Sequence, residues 1–367
     1  MTRPEQSCKT IKKVVVGMSG GVDSSVASLL LQQQGFDVTG LTLVTHDGAQ
    51  AAIDDAAAIC RHLGIEHIVA DVRRIFQERV IDDFVDAWVN GLTPNPCVRC
   101  NPSVKFSILQ EQAGRLGGLM ATGHYAAVEK IEQTGRLALT MTDSGQKDQT
   151  YFLYRLSQEQ LSRLIFPLRH LKKDDVRSLA AAAGLAGGDR QALADKPDSQ
   201  DICFINDRNY IRLIRDEVER RGMTDAARLL KEGPILDMDG REIGRHSGLL
   251  AYTIGQRKGF DVRTTERLFV IKKDAARNAL VVGPYTAVLQ ETIMVSDVVY
   301  SGLASFQPGQ ACLARVRSSA QPVACRVFPQ TDDRLAVHFS KPVAAPAAGQ
   351  SCVFYANGII LAGGLID

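Results

Sequence analysis

The sequence contains no long apolar run: nothing approaches the roughly 20 residues that a bilayer-spanning helix needs, which argues against an integral membrane protein. Its opening, MTRPEQSCKTIKK, lacks the apolar core of a secretion signal, so the chain reads as cytoplasmic, with no membrane partner. Charge of either sign is scarce in surplus. The net value of +2 provides no global field, and any nucleic acid would have to meet a local basic surface. Eight cysteines in 367 residues are too dispersed for a secreted disulfide framework. Cys97 and Cys100 form a CxxC, but no second CxxC exists to complete a four-cysteine zinc site. Repeats and low-complexity tracts are absent. So are GxGxxG and the P-loop ending in Lys–Ser/Thr, which leaves two common nucleotide signatures unsupported.

What is present is organised around VVVGMSGGVDSS, Val14 to Ser25. A β-branched run gives way to a glycine turn, and Val26, Leu29 and Leu30 then repeat at helical spacing. Such a strand, turn and helix start form a candidate anion site made of Gly17, Met18, Ser19, Gly20, Gly21, Val22, Asp23 and Ser24. Glycine lets the backbone approach an anion, and the free N–H groups and helix dipole favour negative charge. A tight connection with no ligand is the alternative reading of a glycine turn alone.

Further strands are expected at Asp37–Leu43, Ile65–Val72 and Leu119–Thr122, alternating with helices at Ala51–Leu63, Phe76–Val89 and Lys105–Leu116. That alternation predicts an α/β fold with a parallel sheet whose ligands lie at the carboxyl ends of its strands. Glu129–Met141 reads as a hairpin, and a helix is expected to open at Tyr151. The two prolines of Thr93-Pro-Asn-Pro-Cys are expected to exclude regular structure. After a short helix at Tyr210–Glu219 the pattern becomes β-rich. From Val288 onward, short strands without helices predict a small antiparallel barrel, with Pro342–Ala348 as a surface loop. The expected units are 1–207, 208–285 and 286–367.

Cys97 and Cys100 taken alone read as a redox pair, half a zinc site or chance. Cys203 is the one other cysteine in a polar, non-periodic setting. Gly123-His124-Tyr125 ends a strand on the rim where the glycine turn also lies, and reads equally well as a plain turn. Lys147 and Gln149 in KDQTYF, and Arg257-Lys258 in YTIGQRKG, suit phosphate contact or a solvated basic turn.

Read together, GMSGGVDSS, TPNPxxxCN, TGHYA, KDQTYFL, DSQDICFI, YTIGQRKG and a final VFY…GG resemble the bacterial tRNA-specific 2-thiouridylase family along nearly the whole chain, and SGGVDSS resembles the PP-loop of ATP pyrophosphatases. The resemblance implies that ATP, with Mg²⁺, adenylates the C2 oxygen of the wobble uridine of tRNA. Gly17 to Ser24, with Leu43 and Gly123, would hold the nucleotide. Cys203 would carry a persulfide and Cys100 would release its sulfur by forming a disulfide. A sulfur-donor protein, a cysteine desulfurase or relay, is the implied partner. Asn95, Pro96 and Cys97 would face the target base; His124, Lys147, Asp148, Gln149, Arg317 and Gln350 would face the tRNA. An electropositive pocket that lowers the thiol pKa is expected, with Arg99 and Lys105 as its sources. Cys97 replaces an Asp that many members carry, so Cys97, Cys100 and Cys203 are also the ligand set of a [4Fe-4S] cluster with one open iron. Arg315-Val316-Arg317 lacks the aromatic of the family's Arg-Tyr-Arg run. A non-catalytic tRNA-binding or sulfur-carrying relative is the alternative from another class.

Overall fold

The computed structural model describes residues 12–142, 148–187, 192–196, 202–205, 207, 209–262, 264, 266–331 and 333–367. Lys147 and Asp198-Ser199-Gln200-Asp201 of the motifs above lie outside the described residues.

Strands β1 (Lys13–Gly17), β2 (Asp37–Val44), β3 (Glu66–Asp71) and β4 (Leu119–Thr122) come first, then a hairpin of β5 (Ala127–Lys130) and β6 (Leu137–Thr140), then β7 (Leu164–Ile165). Among the described residues, the first sheet has the order β3-β2-β1-β4-β7 and is parallel throughout. Alternation along β1 sends Val14 and Val16 to one face and Val15 to the other. The first face packs on α1 (Val22–Gln33) and α2 (Gln50–Leu63) through Val26, Leu31 and Ile59. The second packs on Phe106, Leu109 and Ala113 of the helix Phe106–Arg115. Gly17 is in register with Leu41 and Thr122, so the ends of β1, β2 and β4 share one rim.

The prolines near Thr93 do not exclude helix. Pro96 is the first residue of a helix, Pro96–Cys100, whose cap is Asn95. A proline there sacrifices no hydrogen bond, because first-turn N–H groups have no intrahelical acceptor. A π turn, Asn101–Lys105, then carries the helix into Phe106–Arg115. The helix expected at Phe76–Val89 is likewise broken by a π turn at Gln77–Ile81. Tyr151 opens no long helix; Thr150–Phe152 is a single 3₁₀ turn.

The second sheet takes β8 (Gly233–Leu236), β9 (Glu242–His246), β10 (Asp261–Val262), β11 (Phe269–Asp274) and β12 (Ala279–Gly283) in the order β10-β9-β8-β12-β11. Its pairings are antiparallel except β8 with β12. Its core is shared with Phe76, Phe84 and Trp88 of the first unit and with the helix Tyr210–Arg220. The helix Thr224–Leu229 beside it was not anticipated.

The expected barrel is present as β13 (Leu289–Tyr300), β14 (Gln310–Arg315), β15 (Val323–Thr331), β16 (Arg334–Ala344), β17 (Ser351–Ala356) and β18 (Ile359–Ile366), closed by pairing of β13 with β18. The hairpin β5–β6 is appended to it, with Thr140 opposite Ile359. Pro342–Ala348 is not a surface loop. It continues β16 to Ala344, and Val343, Ala345 and Ala347 are buried. No described helix is long and apolar enough to cross a membrane.

Candidate active site

At the end of β1 the chain turns through Gly20, whose φ is +70°. A Cβ there would lie 2.8 Å from the Ala52 carbonyl oxygen, so only glycine fits. Gly21 then stands at the N-cap of α1 with no side-chain cap, which leaves first-turn N–H groups open to an anion. The Ser19 N–H donates to Ser24 Oγ (3.3 Å), and the two hydroxyl oxygens are 3.3 Å apart, so both hydroxyls line the same turn. Met18 holds the turn to β2: its N–H donates to the Leu41 carbonyl (2.8 Å), and Thr42 Oγ1 donates to the Met18 carbonyl (3.1 Å). Leu43 follows on the same strand end, half-buried.

Two lysines that sequence reading missed flank this turn. Lys173 Nζ donates to both Asp23 oxygens (2.8 and 2.7 Å), and Tyr125 Oη donates to Asp23 Oδ1 (2.8 Å). Lys196 Nζ donates to the Gly20 carbonyl (3.2 Å) and pairs with Asp55. Lys173 follows another lysine in the short Leu171-Lys172-Lys173 run that opens a helix, a signal too common to single out.

Gly123 packs directly on the turn. A Cβ on it would stand 2.6 Å from the Asp23 carbonyl carbon and 2.7 Å from the Ser24 nitrogen. His124 follows, its ring tilted against Phe106 at 5.9 Å between ring centroids, with Nδ1 2.8 Å from Thr122 Oγ1. Burial, helped by Lys105, holds its pKa well below the ordinary imidazole value. The same Lys105 bears on Cys97, Cys100 and Cys203, and Cys203 acts on both other thiols. One ammonium group thus acts on three cysteines and on His124, whose neighbour Gly123 packs on the first turn of α1.

Cys97 and Cys203 are exposed and Cys100 is half-buried. The protein crowding the thiols from behind still strips bulk water from their ionised forms. Desolvation raises the pKa of all three, that of Cys100 from 9.0 to about 11, against the opposing pull of Lys105. The expected lowering of the thiol pKa is therefore reversed, because desolvation outweighs a single cation. Arg99 does not contribute, since its guanidinium is committed to Asp83 (3.7 Å) and Asp297 (3.2 Å). Cys203 is placed by its neighbours: Phe204 packs edge-on against Phe76 (5.4 Å) and Phe84 (5.8 Å), and Ile205 is buried. The apolar residues of DICFI anchor an exposed cysteine.

Among the described residues, no three His, Cys, Asp or Glu side chains are grouped to hold a metal ion. The Asp23 carboxylate is paired with Lys173 and accepts a hydrogen bond from Tyr125.

Several residues expected to face tRNA are engaged within the protein. Asp148 is nearly buried, 3.7 Å from Arg315, and accepts from Thr150 Oγ1 (2.9 Å); burial raises its pKa. Gln149 Oε1 accepts from the Tyr125 N–H (3.0 Å). Arg317 donates to the Ala345 carbonyl, and its burial lowers the guanidinium pKa. Gln350 Nε2 donates to the Thr93 carbonyl (2.7 Å), and Asn95 Oδ1 accepts from the Cys97 N–H (3.2 Å). Pro96 is buried. A concavity of about 190 Å³ lined by Lys13, Gln32, Phe36, Asp37 and Glu66 opens at the amino end of the sheet, away from all of these groups.

A parallel sheet with an uncapped glycine turn at its carboxyl rim and a β-barrel at the end of the chain fit an α/β nucleotide-binding protein of HUP type. Residues 12–207 match the tRNA methyl transferase HUP domain, 226–284 the tRNA methyl transferase PRC-barrel domain and 290–366 the Aminomethyltransferase beta-barrel domain. The tRNA-specific 2-thiouridylase MnmA of Roseiflexus sp. (strain RS-1) is 40% identical over 384 residues, 96% of this chain and 99% of that protein. The enzymes of the same name from Chloroflexus aurantiacus (strain ATCC 29366 / DSM 635 / J-10-fl) and Clostridioides difficile (strain 630) are 42% and 37% identical, over 96% and 97% of this chain and 98% of each relative. The chain belongs to the tRNA-specific 2-thiouridylase family. Among solved structures, NMN synthetase from Francisella tularensis aligns with a TM-score of 0.36 at 18% identity, over 57% of this chain and 78% of that one.

Proposed function

We propose that this chain performs ATP-dependent 2-thiolation of the wobble uridine of tRNA through a persulfide on Cys203, with Cys100 as the thiol that resolves it. The observation that supports this reading is that the charge of Lys105 acts on Cys100, Cys203 and His124 alike, while Gly123, next to His124, packs on the first turn of α1. The N–H groups of α1 and the hydroxyls of Ser19 and Ser24 hold the phosphates of ATP, and Lys173 and Lys196 add positive charge beside them. Mg²⁺, when bound, offsets phosphate charge. No step is assigned to an iron–sulfur cluster.

Uridine O2 attacks the α-phosphorus and pyrophosphate leaves, so the poor leaving group at C2 becomes AMP. The Cys100 thiolate then attacks Sγ of the Cys203 persulfide. The Cys100–Cys203 bond forms, the persulfide S–S bond breaks, and the outer sulfur departs with the electron pair. That sulfur adds to C2 and AMP is expelled. Cys100 Sγ is oxidised to the disulfide level, Cys203 Sγ stays at that level and the outer sulfur is reduced to sulfide, so the electrons balance. Exposed Cys203 suits loading by a sulfur-donor protein, and Cys97 faces the target base. Lys147 and the basic turn Arg257-Lys258 meet the tRNA, whereas Asp148, Gln149, Arg317 and Gln350 support that surface from behind. The division into 1–207, 208–285 and 286–367 assigns ATP and sulfur chemistry to the first unit and tRNA contact to the other two.

The test is Cys100→Ala and Cys203→Ala, each assayed for tRNA thiolation and for tRNA-dependent ATP–pyrophosphate exchange. Thiolation is expected to drop to background with exchange retained. Full thiolation by either variant with a physiological sulfur donor rules out the persulfide-to-disulfide route.

A further inference from the structure

One carboxylate of the barrel faces the cysteine helix and has no role in the chemistry above. Asp297 lies in β13 where the register with β18 is irregular, between Ser296 and Val299. Its φ is +52°, a left-handed conformation that non-glycine residues seldom adopt. Such irregularities re-aim side chains, and a strained backbone persists only where its surroundings demand it. Here two arginines make the demand. Arg155, whose side chain is 7% exposed, pairs with the Asp297 carboxylate and also donates to its carbonyl (3.1 Å). Arg99 Nη1 lies 3.2 Å from the same carboxylate. Arg99 stands between Cys97 and Cys100 in a helix of five residues, so the backbone that anchors its guanidinium also carries both thiols.

The barrel also grips the start of this segment. The Thr93 N–H donates to the Ala348 carbonyl (2.7 Å), and Gln350 donates to the Thr93 carbonyl (2.7 Å). Thr93 and Arg99 are therefore both tied to the barrel, on either side of Cys97 and with Cys100 adjacent to Arg99.

We propose that Asp297 is a positioning residue which, through Arg99, sets where the Cys100 thiol stands relative to Cys203. The barrel thereby controls the geometry of the sulfur site. The consequence for turnover rests on the reading of Cys100 as the resolving thiol; the positional claim does not.

The test uses the full chain with Asp297→Asn, which keeps the size of the side chain and tolerates a left-handed backbone but removes the charge, and Arg99→Gln. The first readout is the alkylation rate of Cys100 by iodoacetamide, with Cys203 as internal reference, resolved by peptide mass spectrometry. The ratio of the two rates is expected to change at least about threefold, and thiolation kcat to fall about tenfold, the scale set by ångström-level misplacement of a reacting group. ATP–pyrophosphate exchange and the KM for ATP should stay at wild-type values. The double variant should lose less than the two single losses combined, because the substitutions share the Arg99–Asp297 contact while each also breaks a pair of its own, with Arg155 or with Asp83. Asp297→Glu, which keeps the charge, should recover part of kcat. An unchanged alkylation ratio in folded Asp297→Asn overturns the proposal, as does a loss of exchange in step with thiolation, which would mark a general loss of stability. Should Asp297→Asn fail to fold, Arg99→Gln gives the same readouts. Thiolation by Cys100→Ala would remove the resolving-thiol reading and leave the alkylation ratio to decide the position.

Discussion

Sulfur chemistry at single residues depends on a contest between desolvation and one ammonium group. Because burial lifts Cys100 to about 11, the resting site holds it as a thiol at neutral pH, and Lys105 works in the opposite direction. A raised pKa means that the thiolate fraction is still climbing where an unperturbed thiol has levelled. The alkylation rate of Cys100 should therefore rise about tenfold per pH unit beyond neutrality and flatten only near 11. Lys105→Gln should push the curve further toward high pH and slow alkylation at pH 7; a plateau below pH 9 in the wild-type chain would contradict the assignment. Linkage has the matching sign. Between 9.0 and about 11 the unfolded thiol has ionised and the native one has not, so stability falls as pH rises through that window. The sequence exposed the three cysteines and Lys105 but misjudged Arg99. Reading charge locally shows a cation beside two thiols, whereas the carboxylate that claims it arrives from the barrel, far along the chain.

The element that carries Cys97 and Cys100 is only five residues long, too short to persist without support. Its support is local at one end, where Asn95 accepts the Cys97 N–H and Pro96 fixes φ, and continuous at the other through the π turn Asn101–Lys105. Losing the cap should cost about 1 kcal/mol, concentrated in this helix. Asn95→Ala should accordingly accelerate hydrogen exchange at Cys97 to Cys100 and lower thiolation, while Asn95→Asp, which also caps, keeps the exchange rates. If Asn95→Asp retains its protection and still loses thiolation, the side chain has a further contact with the target base. The turn was legible as chemistry and misread as structure: two prolines look like a helix breaker until one of them proves to be the first helical residue. The π turns left no trace in the pattern, because one additional residue per turn barely disturbs a short apolar period.

Across the whole molecule the parallel sheet and the barrel each keep a core of their own and also share a third cluster. Val15, Leu41 and Met120 of the parallel sheet share one cluster with Tyr151 and Tyr154 and with Val353, Tyr355 and Ile360 of the barrel. Tyr151 Oη donates to the Ser351 carbonyl (2.8 Å) across this junction. The hairpin β5–β6 binds the barrel as well: Arg136 donates to the Ser301 (2.8 Å) and Tyr300 (2.9 Å) carbonyls. An antiparallel hairpin has the same sequence pattern whichever sheet it joins, which is why its destination could not be read in advance. Gly363 is where the shared core is tightest. A Cβ there would lie 2.5 Å from the ring of Tyr154, which is fully buried and has nowhere to go. Overpacking of this kind costs on the order of 1–3 kcal/mol. Because the strain falls on a cluster that both units share, Gly363→Ala should lower one melting transition that carries the signals of sheet and barrel together. Calorimetry alongside near-ultraviolet circular dichroism would show it. Two transitions, with only the later part of the chain destabilised by the alanine, would mean that the barrel folds on its own core. In that case Asp297 and Gln350 would grip the cysteine segment from a unit able to detach, rather than from one built into the same core.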